Sequence, residues 1–298
     1  VQGPGQSPSV ASTVRISGPP PPAGDAGFAL RVSWMESLRA HWPEYLMEAA
    51  LLGLFMISAC SFGVLLDHPE FLVSQVLPDP TVRRFLGGMA MGLTAIALIY
   101  SPWGKQSGAH LNPSVTLTFW RLGKVRKADA CFYALAQFAG GIAGVLAAAV
   151  PLTPWLEHRA VNYAVTQPGP GGVWSAALGE LVISFLMMSM VLYATSTARL
   201  EPYTGLFAGA LVAAYITFEA PHSGMSMNPA RTFGSAIVAG QYRALWLYFT
   251  VPPLAMLAAA ELRLRLVGAR AAARCAKFRH AADKRCIFCG YQPAEKNA

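Results

Sequence analysis

One segment of this chain returns in altered form and limits what the chain can fold into. Ser107-Gly108-Ala109-His110-Leu111-Asn112-Pro113-Ser114 reappears as Ser223-Gly224-Met225-Ser226-Met227-Asn228-Pro229-Ala230. Asn is a favoured helix N-cap, and Pro is tolerated at the first helical position, where its missing N–H costs nothing. Each copy therefore starts a helix, one at Pro113-Ser114 and one at Pro229-Ala230. The apolar stretches that follow, Pro113 to Trp120 and Pro229 to Ala239, fall short of the roughly 20 residues that cross a bilayer. Both are expected to be half-helices.

The rest of the chain makes a bilayer the natural solvent. Of 298 residues 54% are hydrophobic and 13% charged, against about 25% charged in an ordinary soluble domain. This composition argues against a soluble enzyme. Six apolar runs long enough to span lie near Pro43 to Leu66, Val82 to Tyr100, Ala128 to Val150, Val173 to Thr195, Thr204 to Ala220 and Tyr242 to Val267. Trp42, Trp103, Trp155, Trp174 and Trp246 fall near their ends, where an indole is comfortable among headgroups. Each half holds three runs, an odd number, so the second half enters the membrane from the opposite side. The fold class read from this is an all-α membrane protein, with six transmembrane helices and two re-entrant half-helices in an inverted three-helix repeat. Repeat one covers about 43–150 and repeat two about 173–267, within a channel-like domain at 35–267.

Charge sets the expected orientation. The chain carries 23 Lys and Arg against 15 Asp and Glu, a net charge of +8. A basic balance suits nucleic acid, anionic lipid or a cytoplasmic loop bias, and position along the chain decides among them. With both termini placed inside, most of the basic residues fall in the tails and in the loops holding Lys105, Arg121, Lys124, Arg126, Lys127 and Arg199. The other side holds Arg83, Arg84, Arg159, Arg231 and Arg243. Both termini are thus expected in the cytoplasm, although the short loops alone are nearly balanced. Residues 1–34, with four prolines in a row at Pro19 to Pro22, read as a disordered cytoplasmic arm, and 268–298 as a basic, cysteine-containing cytoplasmic tail. No signal peptide is evident.

Half-helices entering from opposite faces would bring their amino ends together near the midplane. Irregular backbone is tolerated at that depth only where protein buries it or water fills a cavity, so a pore follows. Each amino end carries about half a positive charge, which repels cations, and the Asn112 and Asn228 amides can donate to a passing oxygen. Glu48 in the first run is matched by Glu180 in the fourth. An intramembrane carboxylate is costly unless satisfied, and the loops entering the half-helices carry N–H groups that need acceptors. Both glutamates are read as braces.

With these features the chain resembles the major intrinsic protein family, the aquaporins and glycerol facilitators, from about Glu44 to about Leu262. The resemblance is closer to the aquaporin group. It implies a homotetramer with one pore per subunit in the cell membrane, conducting water, with other small uncharged solutes, and excluding ions and protons. It also implies that Arg231 belongs to an outer constriction with Met91, Ile216 and Met225. Water channels have Phe and His at the first two of those positions and glycerol facilitators a Trp and Phe pair, so this constriction is more apolar than either. Thr232, where glycerol facilitators carry Asp, together with Ala236 and Tyr248-Phe249, resembles the water-channel group. By the same resemblance His110 lines the inner mouth; read from the residues alone, it is equally a satisfied loop histidine.

Other classes compare poorly. An ion-coupled transporter needs an exchangeable site at the midplane, and the midspan carboxylates are already assigned as braces. No nucleophile with a neighbouring base, phosphate-cradling loop or catalytic carboxylate pair appears, so no enzyme is expected. A facilitator for glycerol-like solutes remains the alternative to a water pore. Expected partners are water, small neutral solutes and the lipid bilayer, with no nucleic acid and no cofactor. Cys60 and Cys131 read as packing residues. Cys275, His280, Cys286 and Cys289 are metal-type ligands within a short stretch. Only their CxxC spacing is close to common zinc sites, and cytosolic thiols can simply stay reduced, so no metal is assigned from sequence.

Overall fold

A computed structural model describes residues 34–293, and the expected arm lies outside the described residues except for Trp34. Trp34 opens a helix rather than ending an arm. The first half consists of α1 (Trp34–Asp67), α2 (Leu72–Val76), α3 (Pro80–Tyr100), α4 (Pro102–Ser107), α5 (Pro113–Arg121) and α6 (Lys127–Leu156). A short turn at Asn162–Ala164 leads to the second half, with α7 (Gly172–Ser196), α8 (Thr204–Phe218), α9 (Ala220–Ser223), α10 (Pro229–Ala239) and α11 (Leu245–Ala272). The halves correspond in order: α1 with α7, α3 with α8, α4 with α9, α5 with α10, α6 with α11.

Packing follows the same duplication. α1 lies along α6, α7 lies along α11, and α3 and α8 pack on each other between the halves. Each half-helix rests on the last long helix of both halves, α5 on α6 and α11, α10 on α11 and α6. The halves therefore interlock. At the α1–α6 crossing a Cβ on Gly144 would sit 2.6 Å from the Gly53 Cα, so only glycine permits this approach. Such close backbone packing is what holds helices together where lipid supplies no hydrophobic drive.

Polarity is distributed as lipid requires. Val150 and Phe218 are 88% and 73% exposed on the outside, whereas Glu48 and Glu180 are fully buried inside. Among the described residues five helices are long and apolar enough to cross a membrane: α1, α3, α6, α7 and α11 through Ala269. α8, with 15 residues, rises about 22 Å at 1.5 Å per residue and is the short crossing. The chain is a multi-pass membrane protein.

Helix ends differ from the hydropathy reading most at α1, α6 and α11; α11 covers Leu245–Ala272 where Tyr242 to Val267 is expected, and so carries five residues into the expected tail. α1 begins at Trp34, well before Pro43, which lies inside the helix. The added turns are too polar for hydropathy to register, yet they are held from below. Tyr45 Oη donates to Asp129 Oδ1 at 2.6 Å and lies 3.1 Å from Ser37 O. α6 likewise continues past Val150 to Leu156 through Pro151 and Pro154. Both half-helices start as the Asn-Pro pairs dictate, and α5 runs one residue past Trp120.

Candidate pore

The two boxes are built alike from the backbone upward. Asn112 Oδ1 accepts from Ser114 N at 2.8 Å and caps α5; Asn228 Oδ1 accepts from Ala230 N at 3.0 Å and from Arg231 N at 3.3 Å and caps α10. Their amide nitrogens cross over. Asn112 Nδ2 donates to Met227 O at 2.8 Å, and Asn228 Nδ2 donates to Leu111 O at 2.7 Å. Each amide has two hydrogens, so each retains one donor beyond the crossing bond. Two helix amino ends and two spare amide donors meet at one place.

The approach loops need bracing because their backbone is strained. Ala109, Leu111, Met225 and Met227 have φ between 50° and 56°, a left-handed conformation that costs a non-glycine residue about 1–2 kcal/mol. The glutamates hold them there. Glu48 Oε1 accepts from Ser107 Oγ at 2.7 Å and His110 N at 3.0 Å, and Oε2 accepts from Leu111 N at 2.7 Å and Gln137 Nε2 at 2.8 Å. Glu180 repeats the arrangement with Ser223 Oγ at 2.8 Å, Ser226 N at 2.6 Å and Met227 N at 2.7 Å. Tyr133 and Tyr248 complete the frame, each donating its hydroxyl to the carbonyl of the box serine, Ser107 or Ser223. Gln137 and Tyr133 went unread in the sequence, where Tyr248 is noted only as part of the Tyr248-Phe249 pair; the two tyrosines follow their box serines by 26 and 25 residues.

A cavity of about 320 Å³ passes between the boxes. Its wall includes His110, Asn112, Asn228, Arg231, Met91, Ile216 and Met225, so the residues singled out in sequence meet around one space. Met187, Val212 and Phe55 add to an apolar wall. Pro113, Ser114, Pro229 and Ala230 form the first turns of the half-helices behind it. Arg83 and Arg84 line the mouth opposite the carboxy-terminal tail, and Phe278 of the tail lines the other.

The side chains at the two mouths differ in how they are held. Arg231 Nη1 donates to Ala164 O at 2.8 Å. That carbonyl is presented by the left-handed turn Asn162–Ala164, where φ is 46°, 50° and 54° in succession. Asn162 and Gln241 exchange amide hydrogen bonds of 3.0 and 2.6 Å that pin the turn. No local pattern in the sequence announced this support. His110 instead faces Thr116 Oγ1 at 3.0 Å through Nδ1, and its Nε2 lies 2.8 Å from Ala276 O. A carbonyl only accepts, so Nε2 carries the proton and Nδ1 accepts from Thr116 in the neutral ring. His110 is thus both a cavity wall residue and fully satisfied, which joins the two alternatives.

The family model for major intrinsic proteins matches residues 35–261. The chain belongs to the major intrinsic protein family. Among its curated relatives, Aquaporin NIP1-3 of Oryza sativa subsp. japonica is 38% identical over 170 residues, 57% of each chain. Aquaporin NIP2-1 of Zea mays is 38% identical over 173 residues, 58% of this chain and 56% of that one. The chain spans somewhat more than half the length of these relatives. The aquaglyceroporin from Plasmodium falciparum shares the fold, with a TM-score of 0.63 at 16% identity, over 76% of this chain and 97% of the other. The inverted repeat of a major intrinsic protein accounts for the paired braces and crossed caps described above.

Proposed function

We propose that this chain forms a passive pore for water, with other small uncharged solutes, that excludes ions and protons. The observation that carries this reading is the crossed pair of Asn112 and Asn228 amides over a single cavity. Two helix amino ends repel cations at that point. Two spare amide donors orient a passing water through its oxygen, which interrupts a chain of proton-relaying hydrogen bonds. Arg231 adds a fixed positive charge and further donors toward the far mouth. Met91, Ile216 and Met225 are the narrowing residues in this reading. Glu48 and Glu180 have every carboxylate oxygen engaged with donors of the protein, which leaves neither as an exchangeable ion site.

The relatives named aquaporins support water as the solute. The alternative, a facilitator for glycerol-like molecules, is favoured by the apolar wall, since a polyol can lay its carbon side on Met91, Ile216 and Met225 while Arg231 and the asparagines read its hydroxyls. We further propose a homotetramer in the cell membrane with both termini in the cytoplasm. Water and glycerol permeabilities measured side by side in the same proteoliposomes test the choice. Rapid water flux with slow glycerol entry supports the water pore, and glycerol entry well above that of empty vesicles supports the facilitator.

A further inference from the structure

The residues that the pore does not use gather at the tail. Ligand atoms of Cys275, His280, Cys286 and Cys289 all lie within 4.8 Å of one another. Cys275 Sγ is 3.4 Å from Cys286 Sγ, and His280 Nε2 is 3.3 Å from Cys289 Sγ. Four ligands about 2.0–2.3 Å from a tetrahedral zinc ion stand some 3.5–3.8 Å apart. A disulfide needs its sulfurs about 2.05 Å apart. The two shortest separations lie near the spacing of ligands around an ion and far beyond that of a bonded pair.

The backbone is shaped for the same purpose. Cys286-Ile287-Phe288-Cys289-Gly290 forms a tight knuckle in which Gly290 N donates to Cys286 O at 3.0 Å and Cys286 N donates to Tyr291 O at 2.8 Å. Gly290 takes φ of 74°, a conformation that favours glycine. Among the described residues the tail after α11 contains no helix or strand, yet Ala273, Ala276, Lys277, Phe278 and Cys286 are buried. So short and polar a segment lacks the core to fold alone and needs a tie such as a metal.

Lys277 adds a tie between the tail and the rest of the chain. It is 2% exposed, and its Nζ donates to two carbonyls, Lys105 O on α4 and Arg285 O within the tail, each at 2.9 Å.

The folded tail sits on the pore mouth. Phe288, inside the knuckle, stacks on His110 with ring centroids 5.5 Å apart and planes at 10°. Ala276 O accepts from His110 Nε2 at 2.8 Å, and Phe278 N donates to Gly108 O at 3.1 Å. Phe278 lines the cavity at that end. A Cβ on Gly108 would come 2.8 Å from Ala276 O, so the box glycine is also what admits the tail. Arg285 adds a strap, with Nη2 2.7 Å from Glu44 Oε2 on α1.

We propose that Cys275, His280, Cys286 and Cys289 bind one zinc ion in a tetrahedral site, and that this ion holds the tail as a cap on the adjoining mouth of the pore. The capping half rests on the pore reading; the metal half does not. The experiment uses the full chain purified in detergent and reconstituted in vesicles. Elemental analysis gives about one zinc per chain, and cobalt exchanged into the site shows tetrahedral visible bands with sulfur-to-cobalt charge transfer. Cys286→Ser with Cys289→Ser loses both signals. Cys60→Ser with Cys131→Ser keeps them, and His280→Cys, which retains a ligand, keeps them too. Chelation of the wild-type protein exposes Arg274 to Arg285 to trypsin and raises water flux severalfold.

Absence of metal and of the cobalt bands from well-folded protein overturns the site. Bound metal whose removal alters neither proteolysis nor flux overturns the cap. Vesicles impermeable before and after chelation, with metal content and trypsin cleavage changing as stated, contradict the pore reading and leave the metal site standing.

Discussion

The two Asn-Pro boxes share a frame and differ in what they add to it. Each has a glutamate brace, a serine, a tyrosine from the last long helix, strained loop residues and a crossed asparagine. Within that frame Val115 in the first half stands where the second has Arg231, and His110 stands where the second has Ser226. Ser226 closes on itself through Asn228 O at 3.0 Å and Thr232, whereas His110 reaches out of its loop to the tail. In the proposed pore a few asymmetric side chains distinguish the two mouths: Arg231 stands toward one, and His110, bonded to the tail, toward the other.

The braces test the shared frame most severely. Glu48 accepts from four donors and Glu180 from three, the difference being Gln137. A buried donor left without a partner costs about 1–3 kcal/mol. Glu48→Ala and Glu180→Ala should each lose several kcal/mol, the first more than the second, in thermal unfolding of detergent-solubilised protein. A larger loss at Glu180 would contradict this count of donors.

Arg231→Val makes the second half resemble the first at its asymmetric position. Glycerol permeation should rise about tenfold, the equivalent of roughly 1.4 kcal/mol off a barrier, and a proton leak should appear in vesicles loaded with a pH dye. Unchanged selectivity would remove Arg231 from the constriction. Asn112→Ala and Asn228→Ala each delete a cap worth about 1 kcal/mol and one crossing bond. Similar falls in melting temperature sharpen the equivalence of the boxes, and a fall confined to one would disprove it. The smallest effect is expected for His110→Ser, which copies Ser226 into the first half. It forfeits the hydrogen bond to Ala276 O, about 0.5–1.5 kcal/mol, together with the stacking on Phe288, and should speed tryptic cutting near Arg285 with a smaller fall in melting temperature than the asparagine variants show.

Much of this frame was legible in the residues because its chemistry is local or duplicated. Asn-Pro starts a helix through bonds spanning two or three residues, and the half-helices begin where that rule puts them. Glu48 and Glu180 stood out because each mirrors the other. What escaped reading depends on contacts between distant parts of the chain. The carbonyl that steadies Arg231 comes from Ala164, sixty-seven positions away, and the one that meets His110 comes from Ala276. The polar start of α1 was hidden for a different reason. Hydropathy detects lipid-facing length and is blind to turns held by Tyr45 and Asp129.

Osmotic shock of proteoliposomes, followed by light scattering with a trapped pH indicator, tests the central claim most directly. The account predicts shrinkage much faster than in empty vesicles, with no ion gradient applied and no change of internal pH. Shrinkage at the rate of bare lipid, or flux that appears only when a sodium or proton gradient is imposed, would contradict it.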